Sequence, residues 1–329
     1  MIDYRTLGRT GLKVSPLCLG TMNFGDLTDK DAAFTIMDAA LDAGINYFDT
    51  ADVYGGPQRA SMKKGFGTSE EIIGDWMAQG GRRDRIVLAT KFYQPMETGP
   101  NDRGLSAYHI RQACEDSLRR LKTDRIDLYQ MHHSDMTVPQ DELWQALDVL
   151  VQQGKILYVG SSNHAGWQIA TTQAAAQARG SLGLVSEQTY YNLMERTAEL
   201  EVLPACRYHG LGLVAWSPLN RGLLGGVLRK ESFGRRARPE VQDKIESNRS
   251  RLEAYEAFCD ELGAPPAAVA LAWLRANPVV TAPISGPRTL EQLQAAIDSL
   301  ALELSQDALD RLDAIWPGPG GEAPQAYAW

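Results

Sequence analysis

Four side chains of unlike chemistry stand at or just after the ends of short apolar runs in this 329-residue chain. Asp49 closes NYFD, and Tyr54 follows one short turn later in DTADVYG. Lys91 closes LATK, and His132 follows DLYQM. Each alone has an ordinary reading: a turn or cap aspartate, a rim tyrosine, a solvated lysine, a satisfied structural histidine. Brought to one level of one fold, they have a joint use. Hydride reduction of a carbonyl needs a proton for the developing alkoxide. A phenol titrates near about 10, and moving it to about 7 takes roughly 4 kcal/mol. One ammonium about 4 Å away supplies roughly 4 kcal/mol at an effective dielectric of about 20. Lys91 beside Tyr54 is therefore expected to lower the phenol's pKa, with Asp49 keeping Lys91 charged against burial. His132 would donate a hydrogen bond to the carbonyl oxygen or pass a proton to Tyr54.

Other chemistries find less support. His132, His133 and Asp135 invite a metal, but neighbours on a strand face opposite ways, so the two imidazoles can chelate together only past the strand's end. No H-E-x-x-H accompanies them, so no metal is expected, and His133 is read as lining the pocket or packing behind the strand. There is no G-x-S-x-G elbow. Gly210, Gly212 and Ala215 match G-x-G-x-x-A, but they lead from a helix into a strand, the reverse of the dinucleotide fingerprint. Two other segments can cradle phosphate. One is residues 217–222 (Ser217, Pro218, Leu219, Asn220, Arg221, Gly222); the other is Ser285, Gly286, Pro287, Arg288 and Thr289, leading into a helix. Arg288 can pair bidentately with a 2′-phosphate. Either segment can also be a plain surface turn. Trp216 is read as a core residue or as a stacking platform for a nicotinamide ring.

The elements that must position these residues follow from periodicity. Residues 4–14 read as a hairpin turning at Gly8 to Gly11. Eight apolar runs come next, at 17–20, 46–50, 86–90, 127–131, 156–160, 184–188, 212–216 and 279–284. Helical patterns fall at 29–43, 69–79, 107–121, 140–153, 166–179, 197–208, 266–276 and 290–300. In the third, Ser106 is placed to cap, and Ile110, Ala113, Cys114, Ser117, Leu118 and Leu121 form one stripe. Strict alternation predicts parallel strands with right-handed crossovers. It suits both a closed (β/α)8 barrel and an open doubly wound sheet; in a barrel the site lies at the strands' C-terminal ends. Residues 220–248 read as a long irregular segment, and 317–329 as a flexible or loosely docked tail on a single domain spanning 1–329.

Composition limits partners. The formal net charge of −8 disfavours nucleic acid and anionic membrane. Cys18, Cys114, Cys206 and Cys259 are isolated in sequence, which disfavours a disulfide framework and suits a reducing cytoplasm. No leader or long apolar span is read, so the expectation is a soluble cytoplasmic protein whose partner is a small carbonyl substrate.

These motifs together resemble the aldo-keto reductases over almost the whole chain. The carriers are FDTADVYG, LATK, DLYQMH, GSSN, EQTYYNL, WSPLNRGLL and GPRTLEQL. The resemblance implies a (β/α)8 barrel with an N-terminal hairpin and loop insertions at the C-terminal face. It implies bound NAD(P)H, with NADPH favoured by Arg288, and a tetrad of Asp49, Tyr54, Lys91 and His132 with Tyr54 as general acid. By position, Gly20, Thr21 and Met22 with Asp49 would approach the nicotinamide ribose. Ser162, Asn163 and Gln188 would hold the carboxamide, and Trp216 would stack on the ring. Ser217, Leu219, Asn220, Arg221 and Gly222 would bind pyrophosphate, and Gly286, Arg288 and Gln292 the 2′-phosphate end. The chain departs from the pattern at Ala295 and Ala296, where many members carry an acid–amide pair contacting adenine, and at His164, where an aromatic residue is frequent. Within the family it is similar to deoxysugar 2,3-reductases and to potassium-channel β subunits. Two alternatives follow: an NADP(H)-binding redox-sensing regulatory subunit, or a dTDP-deoxysugar 2,3-reductase using Arg235, Arg236 and Arg238 for a diphosphate. Residues 55–67 and 220–248 are expected to shape the substrate mouth.

Overall fold

Eight apolar runs pair in parallel and close on themselves in the computed structural model, which describes residues 2–56, 65–229 and 239–328. The barrel strands are β3 (Cys18–Gly20), β4 (Tyr47–Asp49), β5 (Val87–Phe92), β6 (Ile126–Met131), β7 (Ile156–Ser162), β8 (Leu184–Tyr190), β9 (Gly212–Trp216) and β10 (Val280–Ser285). Pairing runs in chain order, and β10 returns to β3 through Ile284 opposite Cys18 and Ser285 opposite Leu19. Closure removes every sheet edge, so of the two folds that alternation allows, the barrel is the one formed.

A hairpin of β1 (Arg5–Thr6) and β2 (Lys13–Val14) precedes the barrel. Its Leu7 and Val14 are fully buried against Tyr47, Val87, Leu128 and Val214, plugging the N-terminal end. Gly8 makes the approach possible: its φ is +53°, and a Cβ there would lie 2.5 Å from the Val185 carbonyl oxygen. With that end sealed by apolar side chains, polar groups gather at the other.

Helices cover the outside. They are α1 (Lys30–Asp42), α2 (Thr68–Met77), α3 (Ala107–Leu121), α4 (Gln140–Gln152), α5 (Gly166–Ala178), α6 (Val202–His209), α7 (Pro239–Ser247), α8 (Arg249–Leu262), α9 (Pro266–Ala276), α10 (Leu290–Asp298), α11 (Gln306–Ile315) and α12 (Gln325–Ala328). α3 follows its sequence signals: Ser106 accepts from the His109 N–H at 3.3 Å, and the predicted stripe is buried.

Two expectations need correction, and two helices had no prediction. The segment 220–248 is not irregular throughout, since short 3₁₀ turns at Asn220–Gly222 and Val227–Arg229 lead on to α7. α7 buries only Ile245, so it carries no apolar stripe to read. α8 and α11 lie outside the strand–helix alternation and were not predicted. The helix expected at 197–208 is broken into a 3₁₀ turn, Thr197–Glu199, and α6. Pro204 has no N–H to offer the Leu200 carbonyl; the backbone N–H of Ala323 takes that acceptor instead, at 3.0 Å. The tail is tied there a second time by an Arg207–Glu322 ion pair.

Candidate active site

The strands' C-terminal ends place the four chemistry-bearing residues together. Asp49 ends β4, Lys91 lies one residue before the end of β5, and His132 follows β6 directly. Tyr54 sits on the turn after β4. That turn is pinned by Asp52 N–H to the Lys91 carbonyl (3.1 Å) and by Ser69 N–H to the Tyr54 carbonyl (3.1 Å). The position of the phenol is therefore set by β5 and by the start of α2, as well as by its own loop.

Lys91 is fully buried and its ammonium has three oxygens around it. Nζ lies 2.5 Å from Asp49 Oδ1, 2.8 Å from the Thr50 carbonyl and 3.3 Å from Tyr54 Oη. Burial opposes the charge, but Asp49 and Tyr54 outweigh it and hold Lys91 above its ordinary pKa. Tyr54 is half-buried at the mouth of the barrel. Here the structure corrects the sequence arithmetic. Burial raises the Tyr54 pKa above its ordinary value, and the pull of Lys91 only partly offsets this. Counting the ammonium's attraction alone left out the cost of desolvating a phenolate, and Asp49 cancels part of the ammonium's field.

The His132 ring meets the Tyr54 ring edge-on, with centroids 5.8 Å apart. Its backbone is clamped by N–H to the Phe92 carbonyl (2.9 Å) and by Asn163 Nδ2 on its own carbonyl (3.0 Å). Burial, then Lys91, then His133 push the imidazole well below its ordinary pKa, so it is neutral near pH 7. β6 has ended before His132, so His132 and His133 project side by side and their rings stack at 5.3 Å. His133 also packs against Tyr93, whose φ of 144° is strained for a bulky residue. Among the described residues no three His, Cys, Asp or Glu side chains converge as metal ligands.

The residues expected to hold a cofactor line one side of the mouth. Asn163, with φ +58°, accepts from Trp216 Nε1 at 3.0 Å, and Tyr190 stacks on Trp216 with centroids 4.5 Å apart. Ser162 is buried and donates to the Gln188 carbonyl at 2.8 Å. Gln188 donates to Asp49 Oδ2 at 2.8 Å, leaving its amide oxygen to face other groups. Gly20 lies against Ile284, Thr21 is buried with its hydroxyl on the Asp49 carbonyl (2.9 Å), and Met22 is exposed. Between Ser217 and Gly222, the residues Ser217, Asn220, Arg221 and Gly222 have positive φ, while Leu219, in the same turn, has φ −99°. Three L-residues held in that region store strain; the N–H groups of Asn220, Arg221 and Gly222 close onto Ser217 and Leu219 within the turn, so the Arg221 guanidinium is the group it offers to an anion. Gly286, Arg288 and Gln292 are exposed, and Gln292 Oε1 accepts from the Arg288 N–H at 2.9 Å. Among the described residues neither Arg221 nor Arg288 has an acidic partner, so both keep capacity for phosphate. These features fit a dinucleotide. Arg235, Arg236 and Arg238 lie outside the described residues, as does part of the mouth loop at 57–64.

Three residues were missed. Gln130 Nε2 donates to Asp49 Oδ2 at 3.0 Å; its signal was a lone amide in a largely apolar strand. Asn23 donates to the Gly286 carbonyl at 3.0 Å, joining the loops after β3 and β10. Glu187, fully buried beneath the Ser162–Asn163 turn, accepts from the His164 N–H (3.1 Å) and Ser161 Oγ (2.5 Å), and burial pushes it up to about 8.

A family model described as aldo/keto reductase matches residues 16–317. The chain is 55% identical to a Bacillus subtilis protein termed uncharacterized oxidoreductase YrpG, over 100% of both chains. It is 34% identical to a probable voltage-gated potassium channel subunit beta of Oryza sativa, covering 95% of this chain and 96% of the relative. It is also 34% identical to norsolorinic acid reductase stcV of Emericella nidulans, covering 93% of this chain and 79% of the relative.

Proposed function

This chain belongs to the aldo/keto reductase family, and we propose that it is an NADPH-dependent reductase that converts an aldehyde, ketone or keto-sugar carbonyl to an alcohol. The observation that carries the proposal is the Lys91 ammonium, sealed from water and 3.3 Å from the Tyr54 hydroxyl.

When bound, the reduced nicotinamide supplies the hydride for the carbonyl carbon. Tyr54 donates its proton to the carbonyl oxygen. Because burial raises the phenol's pKa, the acid form is loaded throughout the neutral range. Lys91 then stabilises the tyrosinate left behind, and Asp49 keeps Lys91 charged. His132, neutral and edge-on to Tyr54, donates a hydrogen bond to the substrate oxygen and is not itself the proton source. Gly20, Thr21 and Met22 would face the nicotinamide ribose. Ser162, Asn163 and the free oxygen of Gln188 would hold the carboxamide, and Trp216 would stack on the ring. Residues 217–222 would hold pyrophosphate, and Gly286, Arg288 and Gln292 the 2′-phosphate. No helix among the described residues is long and apolar enough to cross a membrane. The four cysteines are free and buried, which fits the reducing cytoplasm we propose for the protein.

The test is NADPH oxidation against a panel of aldehydes, ketones and keto-sugars between pH 6 and 9. The wild type should turn over many times, with no acid limb near pH 6.5. Tyr54→Phe should keep NADPH affinity while turnover falls by orders of magnitude; equal turnover would remove Tyr54 as the proton donor. A second reading has one observation in its favour, the potassium channel subunit beta relatives. In that reading the chain holds NADP(H), docks on a partner and reacts slowly; rapid multiple turnover would exclude it.

A further inference from the structure

We infer that Gln130 is a positioning residue for the reaction: from β6 it holds Asp49, through Asp49 the Lys91 ammonium, and through Lys91 the field acting on Tyr54. The inference rests on the reductase reading above and deepens it.

The interior of such a barrel is ordinarily filled by branched apolar side chains. Leu128, two residues before Gln130 on the same strand face, follows that rule. Gln130 does not, although it is fully buried. A buried primary amide is costly unless both its ends are satisfied, and here both are. Nε2 donates to Asp49 Oδ2 at 3.0 Å, and Oε1 accepts from Gln188 Nε2 at 3.4 Å. The barrel also makes room for it. A Cβ on Gly160, across from Gln130 on β7, would fall 3.1 Å from Gln130 Cγ and 2.6 Å from Ser186 Oγ.

The consequence lies in how the Asp49 carboxylate is divided. Oδ1 takes the Lys91 ammonium at 2.5 Å, while Oδ2 takes the two amides, Gln130 at 3.0 Å and Gln188 at 2.8 Å. The amides fix the rotation of the carboxylate, so that Oδ1 alone faces Lys91. Gln188 keeps an amide oxygen free for another partner. Gln130 has no such remainder, and with no exposed surface it touches neither substrate nor cofactor. Its Nε2 holds Asp49 directly, and its Oε1 holds Gln188, the other amide on the same carboxylate oxygen. The titratable groups that act on this pair are Cys18 on β3, Tyr47 on β4, Asp52 and Tyr54 on the turn after β4, and His132 after β6.

The experiment compares wild type, Gln130→Met and Tyr54→Phe. Readouts are NADPH affinity by fluorescence and single-turnover hydride transfer from pH 6 to 10. Methionine keeps the volume and removes the donor. Loss of one hydrogen bond to a charged group predicts a transfer rate lower by about 10- to 100-fold. NADPH affinity should stay within about threefold, since no cofactor contact is lost. The alkaline limb should move to lower pH, because a less well held Asp49 lets buried Lys91 lose its proton sooner. Gln130→Glu gives a second test that does not depend on Gln130→Met folding. It should be slow at high pH and recover as pH falls, because only the protonated acid can donate to Asp49. A wild-type rate and pH profile in either variant, with Tyr54→Phe still inactive, overturns the inference and leaves the reductase reading standing. A loss of rate that merely tracks a loss of NADPH affinity overturns it too. If wild type reacts no faster than Tyr54→Phe, the reductase reading and this inference fail together.

Discussion

Replacing Lys91 with methionine separates two tasks the structure gives to one ammonium. Lys91 Nζ lies 3.3 Å from Tyr54 Oη and 2.5 Å from Asp49 Oδ1. At an effective dielectric of about 20, a unit charge at that distance from a forming tyrosinate is worth about 5 kcal/mol. Removed in full, that would slow proton donation roughly 5000-fold. Asp49 cancels part of the ammonium's field, so the expected loss is about 100- to 1000-fold in the hydride-transfer step. The same substitution leaves Asp49 buried without its cation, which should cost about 3–5 kcal/mol of stability. Adding Asp49→Asn to Lys91→Met removes the orphaned charge. The double variant should therefore recover most of the lost stability in urea unfolding while staying as slow as Lys91→Met. Stopped-flow transfer rates and unfolding midpoints measured on the same preparations decide it. Turnover of Lys91→Met within tenfold of wild type would refute the electrostatic role. Recovery of activity in the double variant would show that Lys91 serves only to neutralise Asp49.

Two further outcomes follow from groups away from this pair. Arg288, exposed and with no acidic partner among the described residues, should be the group that distinguishes NADPH from NADH. Arg288→Ala should weaken NADPH about 10- to 100-fold and leave NADH unchanged in equilibrium titration; equal losses would mean that it does not read the 2′-phosphate. Glu187 has a folded-state pKa pushed up to about 8 by burial, against an ordinary carboxylate value of 4.5. Its contribution to stability is therefore full below the unfolded value and is lost as pH rises through about 8. Relative to Glu187→Gln, the wild type should lose a few kcal/mol between pH 4.5 and 9 in urea unfolding. A difference constant with pH would mean that Glu187 does not change ionisation in that window.

Much of this protein can be read from its residues alone. The short apolar runs and the helical stripes between them placed all eight barrel strands, because a strand buried on both faces reads as a continuous apolar run and a helix buried on one face reads as a stripe. The end of a strand is also visible, and so Asp49, Lys91 and His132 stood out together with Tyr54. What lacked a periodic signal was missed. α7 buries a single residue, and Pro204 splits a pattern that otherwise continues. Closure of the sheet through Ile284 and Cys18 involves residues far apart in the chain, which no local period reports. The same holds for Gln130 and Gln188, which reach Asp49 from different strands. The sign of the shift at Tyr54 depended on the fold most of all. The identity of a charged neighbour is written in the chain, but the cost of removing a phenolate from water depends on depth. Depth is a property of everything packed around the group, and only the closed barrel sets it.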